Sequence, residues 1–525
     1  MDSTQSIQTV LGLLVAVGVL VVVARRISVP YPILLVVGGL LLGLIPGLPN
    51  VELRPELVLL LFLPPLLYWD SLNTSLRELR ANLRSISLLA IGLVIATACI
   101  VAVVAPTFAG LSWPTAFVLG AIVSPTDTVA ASAIAQRLAL PRRLTTVLSD
   151  ESIINDATAL VIYATAIAAV TKGSFSFLNA GLDFFKAGIG GVLLGLAVAW
   201  CIGQIRRYLH DPPVENTLSL LSGFAAYIPA TALGLSGVLA VLAMGIYLGR
   251  RGPSFVSSQT RLQAEQMWEI VVFLLNGLIF ILIGLQLHSV LSKLTKSSTT
   301  TLIWDAIAIS VTVILTRLIW VFPGTYLPRF LSRRIREKDP YPSWQSTIIV
   351  GWTGMRGGVS LATALALPLT PPFPDRGIIV FLTFSVILST LVVQGLTLPL
   401  LIRRLQLPND ESADREEAKA RLKAARAALT RLDELASEDW VEQEIVDDLR
   451  LHFSDQDRRF TARYHGTEDG ANQEQKATAH QRLKIELIGA ERRTIIELRD
   501  QGVINDEVMR KIQHDLDLEE LRLQP

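Results

Sequence analysis

Residues 113–135 read W-P-T-A-F-V-L-G-A-I-V-S-P-T-D-T-V-A-A-S-A-I-A, an apolar run interrupted at its middle by Ser124, Pro125, Thr126 and Asp127. The run is long enough to cross a hydrocarbon core of about 30 Å as a helix, which takes about 20 residues. Pro125 removes a backbone donor and crowds the turn before it, so carbonyls that a helix would satisfy need another partner. At membrane depth such a break is tolerated only where it faces protein or a wet cavity. Asp127 lies about 21 Å along the run from Trp113, near the bilayer centre. A charge there costs about 2.5 to 3.5 kcal/mol by insertion scales, so both the break and the carboxylate require a reason.

A matching defect lies at residues 351–358, G-W-T-G-M-R-G-G, where four glycines surround Arg356. Counted from Ser343, Arg356 is again about 20 Å deep. Thirteen apolar blocks precede residue 405, near 7–24, 31–48, 56–70, 85–106, 113–135, 144–171, 179–205, 216–232, 235–249, 266–287, 301–323, 344–366 and 378–402. The broken blocks are the fifth and the twelfth. An odd separation makes them antiparallel, and two interrupted helices in corresponding places of inverted halves mark a transporter's midplane site. The expected fold is an all-α polytopic membrane protein of 13 transmembrane helices. Spans one to six and eight to thirteen form two inverted six-helix repeats, with the interrupted helices crossed.

Composition supports a lipid environment, with 51% hydrophobic residues in 525 and a mean hydropathy of +0.47. The first block is expected to remain as a span, because Asp2 stands where a signal peptide has basic residues and no A-x-A site precedes Arg25. Lys and Arg gather on the cytoplasmic side of short loops. Alternate loops hold 18 basic residues, against 5 in the intervening ones. This places the N-terminus outside and the C-terminus in the cytoplasm of a cell-membrane protein. Cys99 and Cys201 fall inside apolar spans as small hydrophobes. Neither cysteine nor histidine spacing suits a disulfide framework, zinc or a metalloenzyme, so no cofactor is expected.

Residues 1–404 carry a net +10 and residues 405–525 a net −9, so the tail is a separate unit. It is rich in Ala, Leu, Glu, Lys and Arg, which favour helix. Leu422, Ala425, Leu429, Leu432 and Leu435 recur at helical steps as one apolar stripe. Further helices are expected near 474–500 and 506–520, with a loop around Gly466 to Gly470. The expected role of the tail is packing or regulation. No nucleotide loop or nucleic-acid module occurs.

The sixth span carries D-E-S-I-I-N-D-A at residues 150–157. Asp156 lies about 20 Å along it from Arg143. Ser152 and Asp156 share a helix face, as do Glu151 and Asn155. The first pair offers a hydroxyl and a carboxylate to one small hard cation, which prefers oxygen ligands. Glu151 can turn aside to a cation, and Arg356 is the expected partner in a buried pair. Asp70, ending the third span, can belong to the site or to the interface. Asp183, Lys186 and Asp305 lie near span ends and are expected to be solvated or snorkelling, while Arg317, deeper in the eleventh, calls for a structural partner.

Taken in order, F-L-P-P-L-L-Y (62–68), S-P-T-D (124–127), D-E-S-I-I-N-D-A (150–157), S-G-V-L-A-V (236–241), F-L-L-N-G-L-I-F-I-L-I-G (273–284) and G-M-R-G-G-V-S (354–360) resemble the monovalent cation:proton antiporters. The resemblance is to their bacterial sodium/proton exchanger branch and covers roughly residues 10–402. It implies exchange of Na+, and of Li+, for H+, with Asp156 as the ion and proton carrier. Asp127 and Thr126 would line the same site and Ser152 would supply a ligand. Asn155 would stand where charge-moving relatives have a second aspartate, and Glu151 and Arg356 would hold the broken helices together. It further implies a homodimer in lipid that regulates intracellular pH and sodium. Trp69-Asp70 departs from the branch, where many members have a Glu soon after the L-P-P-L-L run.

Two other readings remain on the residues alone. A K+/H+ antiporter of the same fold would use the same oxygens. An intramembrane aspartyl protease would also pair two aspartates on neighbouring spans, but its Y-D and G-x-G-D motifs surround neither Asp127 nor Asp156. A channel would need repeated rings of pore-lining groups, which one asymmetric carboxylate pair does not provide.

Overall fold

The computed structural model describes residues 3–27, 29–45, 55–77, 87–127, 141–172, 177–209, 211–252, 256–293, 298–338, 341–368, 373–406, 412–438, 440–465, 468–501, 503 and 505–523. The chain divides into two compact units, Met1–Pro408 and Asn409–Pro525. Among the described residues all regular structure is helical.

The first unit contains α1 (Ser3–Ile27), α2 (Tyr31–Gly43), α3 (Pro55–Leu72), α4 (Leu93–Ala109), α5 (Trp113–Val123), α6 (Arg142–Lys172), α7 (Phe177–Tyr208), α8 (Pro212–Ala232), α9 (Gly237–Arg251), α10 (Ser258–Lys293) and α11 (Thr299–Leu331). After the short α12 (Arg333–Lys338) come α13 (Trp344–Trp352), α14 (Gly358–Leu365), α15 (Arg376–Ser389) and α16 (Gly395–Leu405). Serines cap four of these helices, accepting from a backbone N–H three residues on: Ser112 for α5, Ser236 for α9, Ser257 for α10 and Ser343 for α13. Single π turns, Leu88–Gly92 and Thr390–Gln394, lead into α4 and join α15 to α16.

Seven helical stretches among the described residues are long and apolar enough to cross a membrane. They belong to α1, α4, α6, α7, α10, α11 and the α15–α16 run. Their outward faces are apolar at helical spacing, as with Val15, Val19 and Val22 on α1 and Ile189, Leu193 and Trp200 on α7. Such faces suit contact with lipid. Cys99 and Cys201 are also exposed.

Both broken spans appear as breaks. α5 stops at Val123 and the chain leaves helix through Asp127; the second half of that run, residues 128–140, lies outside the described residues. The twelfth block is two helices, α13 and α14, joined by non-helical residues 353–357. One core cluster surrounds this region, with Ile122, Ile281, Met355, Leu361 and Phe384 among its members. A second packs α3, α7, α8 and α9 around the fully buried Trp268. Gly39 of α2 and Gly284 of α10 bring two backbones together, since a Cβ on either would strike a carbonyl of the other helix.

The second unit holds α17 (Ser412–Leu435), α18 (Gln443–His465), α19 (Glu468–Asp500) and α20 (Asp506–Leu523). The stripe expected on α17 is buried at Leu422 and Ala425 and half-buried at Leu429, Leu432 and Leu435. Salt bridges Arg426–Asp457 and Arg450–Asp433, both 2.7 Å, tie α17 to α18. Of the loop expected at Gly466 to Gly470, residues 468–470 are instead helical, since α19 starts at Glu468, and residues 466–467 lie outside the described residues. α18 was not expected, since its Asp and Arg residues mask an apolar face carrying Val446 and Phe460.

Candidate functional site

The breaks in α5 and α13–α14 meet. The backbone N–H of Asp127 donates to the carbonyl of Met355 at 2.8 Å, joining the two non-helical segments. Each freed helix end near this contact receives a side chain of opposite sign, the favourable arrangement for helix dipoles. Arg356 Nε donates to the carbonyl of Val123, the last residue of α5, at 3.0 Å. Arg317 donates through Nε and Nη2 to the carbonyl of Val350, near the end of α13, at 3.2 and 3.1 Å. Asp127 lies against Gly357, which precedes α14, where its carboxylate fills the space a Cβ would need.

Beside the crossing is a cavity of about 80 Å3. Asp70, Thr126, Asp127, Ser152 and Asp156 line it, together with Asn276 and Ser360. Four of these are the residues expected at the ion site, and Asp70 joins them. The remaining wall is apolar, from Phe62, Leu63, Leu66 and Leu67 of α3 and Ile279 of α10. Phe62, Leu63 and Leu67 of α3 are buried, and Asp70 at the end of the same wall is exposed, so the cavity reaches the surface at Asp70. Asp127 and Asp156 are half-buried.

α6 and the Ser124–Asp127 break are stitched together. Ser152 Oγ donates to the carbonyl of Thr126, and Asn155 Nδ2 donates to Thr126 Oγ1 at 2.7 Å. Asn155 is buried and outside the cavity wall, so it acts on the site through Thr126. Among the described residues nothing hydrogen-bonds the Asp156 carboxylate.

Two expectations are corrected. Glu151 was expected to pair with Arg356, but it forms a two-pronged salt bridge with Arg317 of α11, through Nη1 and, at 3.1 Å, Nη2. All three side chains are almost completely buried. Arg317 can grip the carboxylate and the Val350 carbonyl at once because its guanidinium presents five donors in one plane. Arg356 instead donates to the backbone, at Val123 and Gly354, while its own N–H donates to Thr390 Oγ1 at 3.1 Å. Asp305 is also corrected: it is buried at 5% exposure rather than solvated. Lys186 is exposed as expected, and nothing is described of the Asp183 side chain.

Sequence reasoning assigned no role to Asn276 or Tyr163. Asn276 is a lone amide in an apolar run and reaches the cavity. Tyr163, two turns beyond Asp156 on α6, donates its hydroxyl to the carbonyl of Thr363 at 2.8 Å.

The sequence model of the sodium/hydrogen exchanger family, a transmembrane family, matches residues 12–404. The chain belongs to the sodium/hydrogen exchanger family. A relative of Mycobacterium tuberculosis named as a Na+/H+ exchanger is 38% identical over 98% of this chain and 95% of its own. The sodium, potassium, lithium and rubidium/H+ antiporter of Bacillus subtilis is 35% identical over 75% of this chain and 61% of its own. A low-affinity Na+/H+ antiporter of Synechocystis is 34% identical over 77% and 76%. The fold is similar to that of the sodium proton antiporter MjNhaP1 from Methanocaldococcus jannaschii, with a TM-score of 0.62 over 77% of this chain and 99% of that one, at 20% identity. Membership in this family makes the protein a multi-pass membrane transporter of the cation/proton antiport class.

Proposed function

We propose that the chain exchanges Na+ for H+, one for one, by alternating access, with Asp156 binding each cargo in turn. The observation that carries this reading is the cavity at the helix crossing, where Asp156, Asp127, Ser152 and Thr126 present oxygens on one wall. A cavity of that size holds on the order of five waters, enough for a cation that has shed part of its hydration shell. Asp127 is engaged at the start of α14, whereas Asp156 is left for cargo. A proton and a cation therefore compete for one carboxylate. Asp70, at the open end of the cavity, attracts cations inward.

In this reading the seven long spans are joined by α2, α3, α5, α8, α9 and the α13–α14 pair, giving thirteen in two inverted repeats. The N-terminus is outside and residues 405–525 form a cytoplasmic tail that packs or regulates. The protein acts as a homodimer in the cell membrane, adjusting internal pH and sodium, and Li+ substitutes for Na+.

A second reading, K+/H+ exchange, is supported by the named cargoes of the Bacillus subtilis relative. Purified protein in proteoliposomes with a trapped pH dye separates the two. Addition of Na+ or Li+ should drive proton flux and K+ should not. Flux with K+ that equals or exceeds that with Na+ would replace the first reading by the second, and no flux with any of the three would reject both.

A further inference from the structure

α14 is a half-helix of eight residues whose start faces Asp127 and whose wall lines the ion cavity. Its other end is also held. The last carbonyls of a helix have no partner within it. Here three of the carbonyls at and just beyond that end are taken by two side chains. Tyr163 donates its hydroxyl to Thr363 at 2.8 Å. Arg376 donates through Nη2 to Leu365 at 3.1 Å and through Nε to Leu367 at 3.2 Å. The guanidinium also puts a positive charge at the negative end of the helix dipole. Tyr163 shares a helix face with Asp156, seven residues before it on α6, so the same rigid helix carries the ion carboxylate and grips the end of α14.

The surrounding packing is apolar. Tyr163, Leu361, Leu365, Leu367, Phe373 and Ile379 are buried in the apolar cluster that also holds Phe62 and Ile279 of the cavity wall. Arg376 opens α15, and Asp375 before it adopts the left-handed region with φ of 54°. The opposite end of the cavity, at Asp70, is open.

We propose that Tyr163 and Arg376 form a latch that holds the C-terminal end of α14 against α6 and α15, keeping the cavity shut on the side opposite Asp70. They are positioning residues for transport. Their bonds to Thr363, Leu365 and Leu367 form in the state described here and are released when the cavity opens to the other side. This rests on the alternating-access reading and on the span order given with it, in which α3 and α14 end at opposite membrane faces. A bond made in only one of two states biases their populations by its differential strength.

Site-directed labelling tests the latch without measuring transport. With Cys99 and Cys201 replaced by serine, Leu66→Cys places a thiol on the cavity wall. A membrane-impermeant thiol reagent is then applied to either face of sealed vesicles. In the parent, labelling should come from one face. Tyr163→Phe removes a single hydroxyl and should shift the ratio of labelling rates toward the opposite face by about fivefold, as expected for one neutral hydrogen bond. Arg376→Gln should shift it at least as far, and Arg376→Lys, which keeps the charge, should fall between. An unchanged ratio in Tyr163→Phe overturns the latch, as does an equal rise from both faces, which would report loosening of the fold. If Arg376→Gln fails to fold, Tyr163→Phe alone decides. Na+-driven proton flux in the parent vesicles separates the two claims. Flux with an unshifted ratio rejects only the latch, whereas a shifted ratio without flux rejects antiport and leaves the latch standing.

Discussion

The carboxylate of Asp127 occupies the space that a Cβ on Gly357 would take, so the break in α5 and the start of α14 fit together only if residue 357 has no side chain. The clash alone requires glycine here, and φ at Gly357, −154°, lies outside the left-handed region. Gly357→Ala should push the Asp127 carboxylate away from α14 while leaving the outer packing untouched. Na+-driven proton flux should fall at least about tenfold, the effect of misplacing a reacting group by a fraction of an ångström to an ångström. The melting temperature should drop by only a few degrees. Normal flux in this variant would mean that Asp127 does not need its place at the start of α14.

Asp156→Asn keeps the shape of the side chain and its place on the cavity wall but removes the group that proton and cation share. Exchange should be abolished with expression and melting temperature near those of the parent. In the parent, lowering the pH by one unit raises proton activity tenfold. Below the titration of the carboxyl, the apparent affinity for Na+ should therefore weaken by up to about tenfold per unit. An apparent affinity for Na+ that ignores pH would show that the two cargoes do not compete for one site.

Glu151 and Arg317 make a different kind of prediction, because neither lines the cavity. Removing one partner of a buried pair strands the other charge and costs about 3 to 5 kcal/mol. Arg317→Ala and Glu151→Gln should each lower the yield of folded protein and the melting temperature in detergent. Glu151→Arg with Arg317→Glu should recover part of the loss. Arg356→Gln should instead impair transport more than folding, since its guanidinium binds carbonyls and not an acid. Equal melting temperatures for the parent and Arg317→Ala would show that the ion pair is not what holds α6 to α11.

These two arginines mark where the sequence stopped being informative. The breaks, their depth and the carboxylates beside them were legible, because proline, glycine and charge are costly in lipid and stand out against an apolar background. Which arginine meets Glu151 was not legible, because both are buried cations near one another, Arg317 on α11 and Arg356 in the non-helical joint between α13 and α14. The rotation of α11 about its axis and the path of that joint, both fixed by packing, decide the pairing. Tyr163 was invisible for a related reason: a tyrosine in an apolar run looks like core, and its partner is a backbone carbonyl that no side chain announces. Arg376 was counted only as a loop charge, although it closes a helix. Asn155 was legible as a residue beside Asp156, but its bond to Thr126 Oγ1 was not.

That bond leads to the prediction about charge. Asn155 stands beside Asp156 where a second carboxylate could carry another proton, but an amide does not ionise, and its Nδ2 is committed to Thr126. Glu151 is committed to Arg317 and Asp127 to the start of α14. Asp70 lies at the exposed end of the cavity, so one exchangeable charge remains where the broken helices meet, on Asp156, and one Na+ should trade for one H+ with no net charge crossing. Moving one elementary charge through 100 mV is worth about 2.3 kcal/mol, which would change a rate limited by that step many-fold. Proteoliposomes clamped with potassium and valinomycin at opposite potentials should give equal initial rates of Na+-driven proton flux. A rate that depends on the sign of the potential would require a second titrating group. Asp127 would then be the residue to test, because it is the other carboxylate at the crossing that reaches the cavity, and Asp127→Asn should remove the voltage dependence if it carries the extra proton.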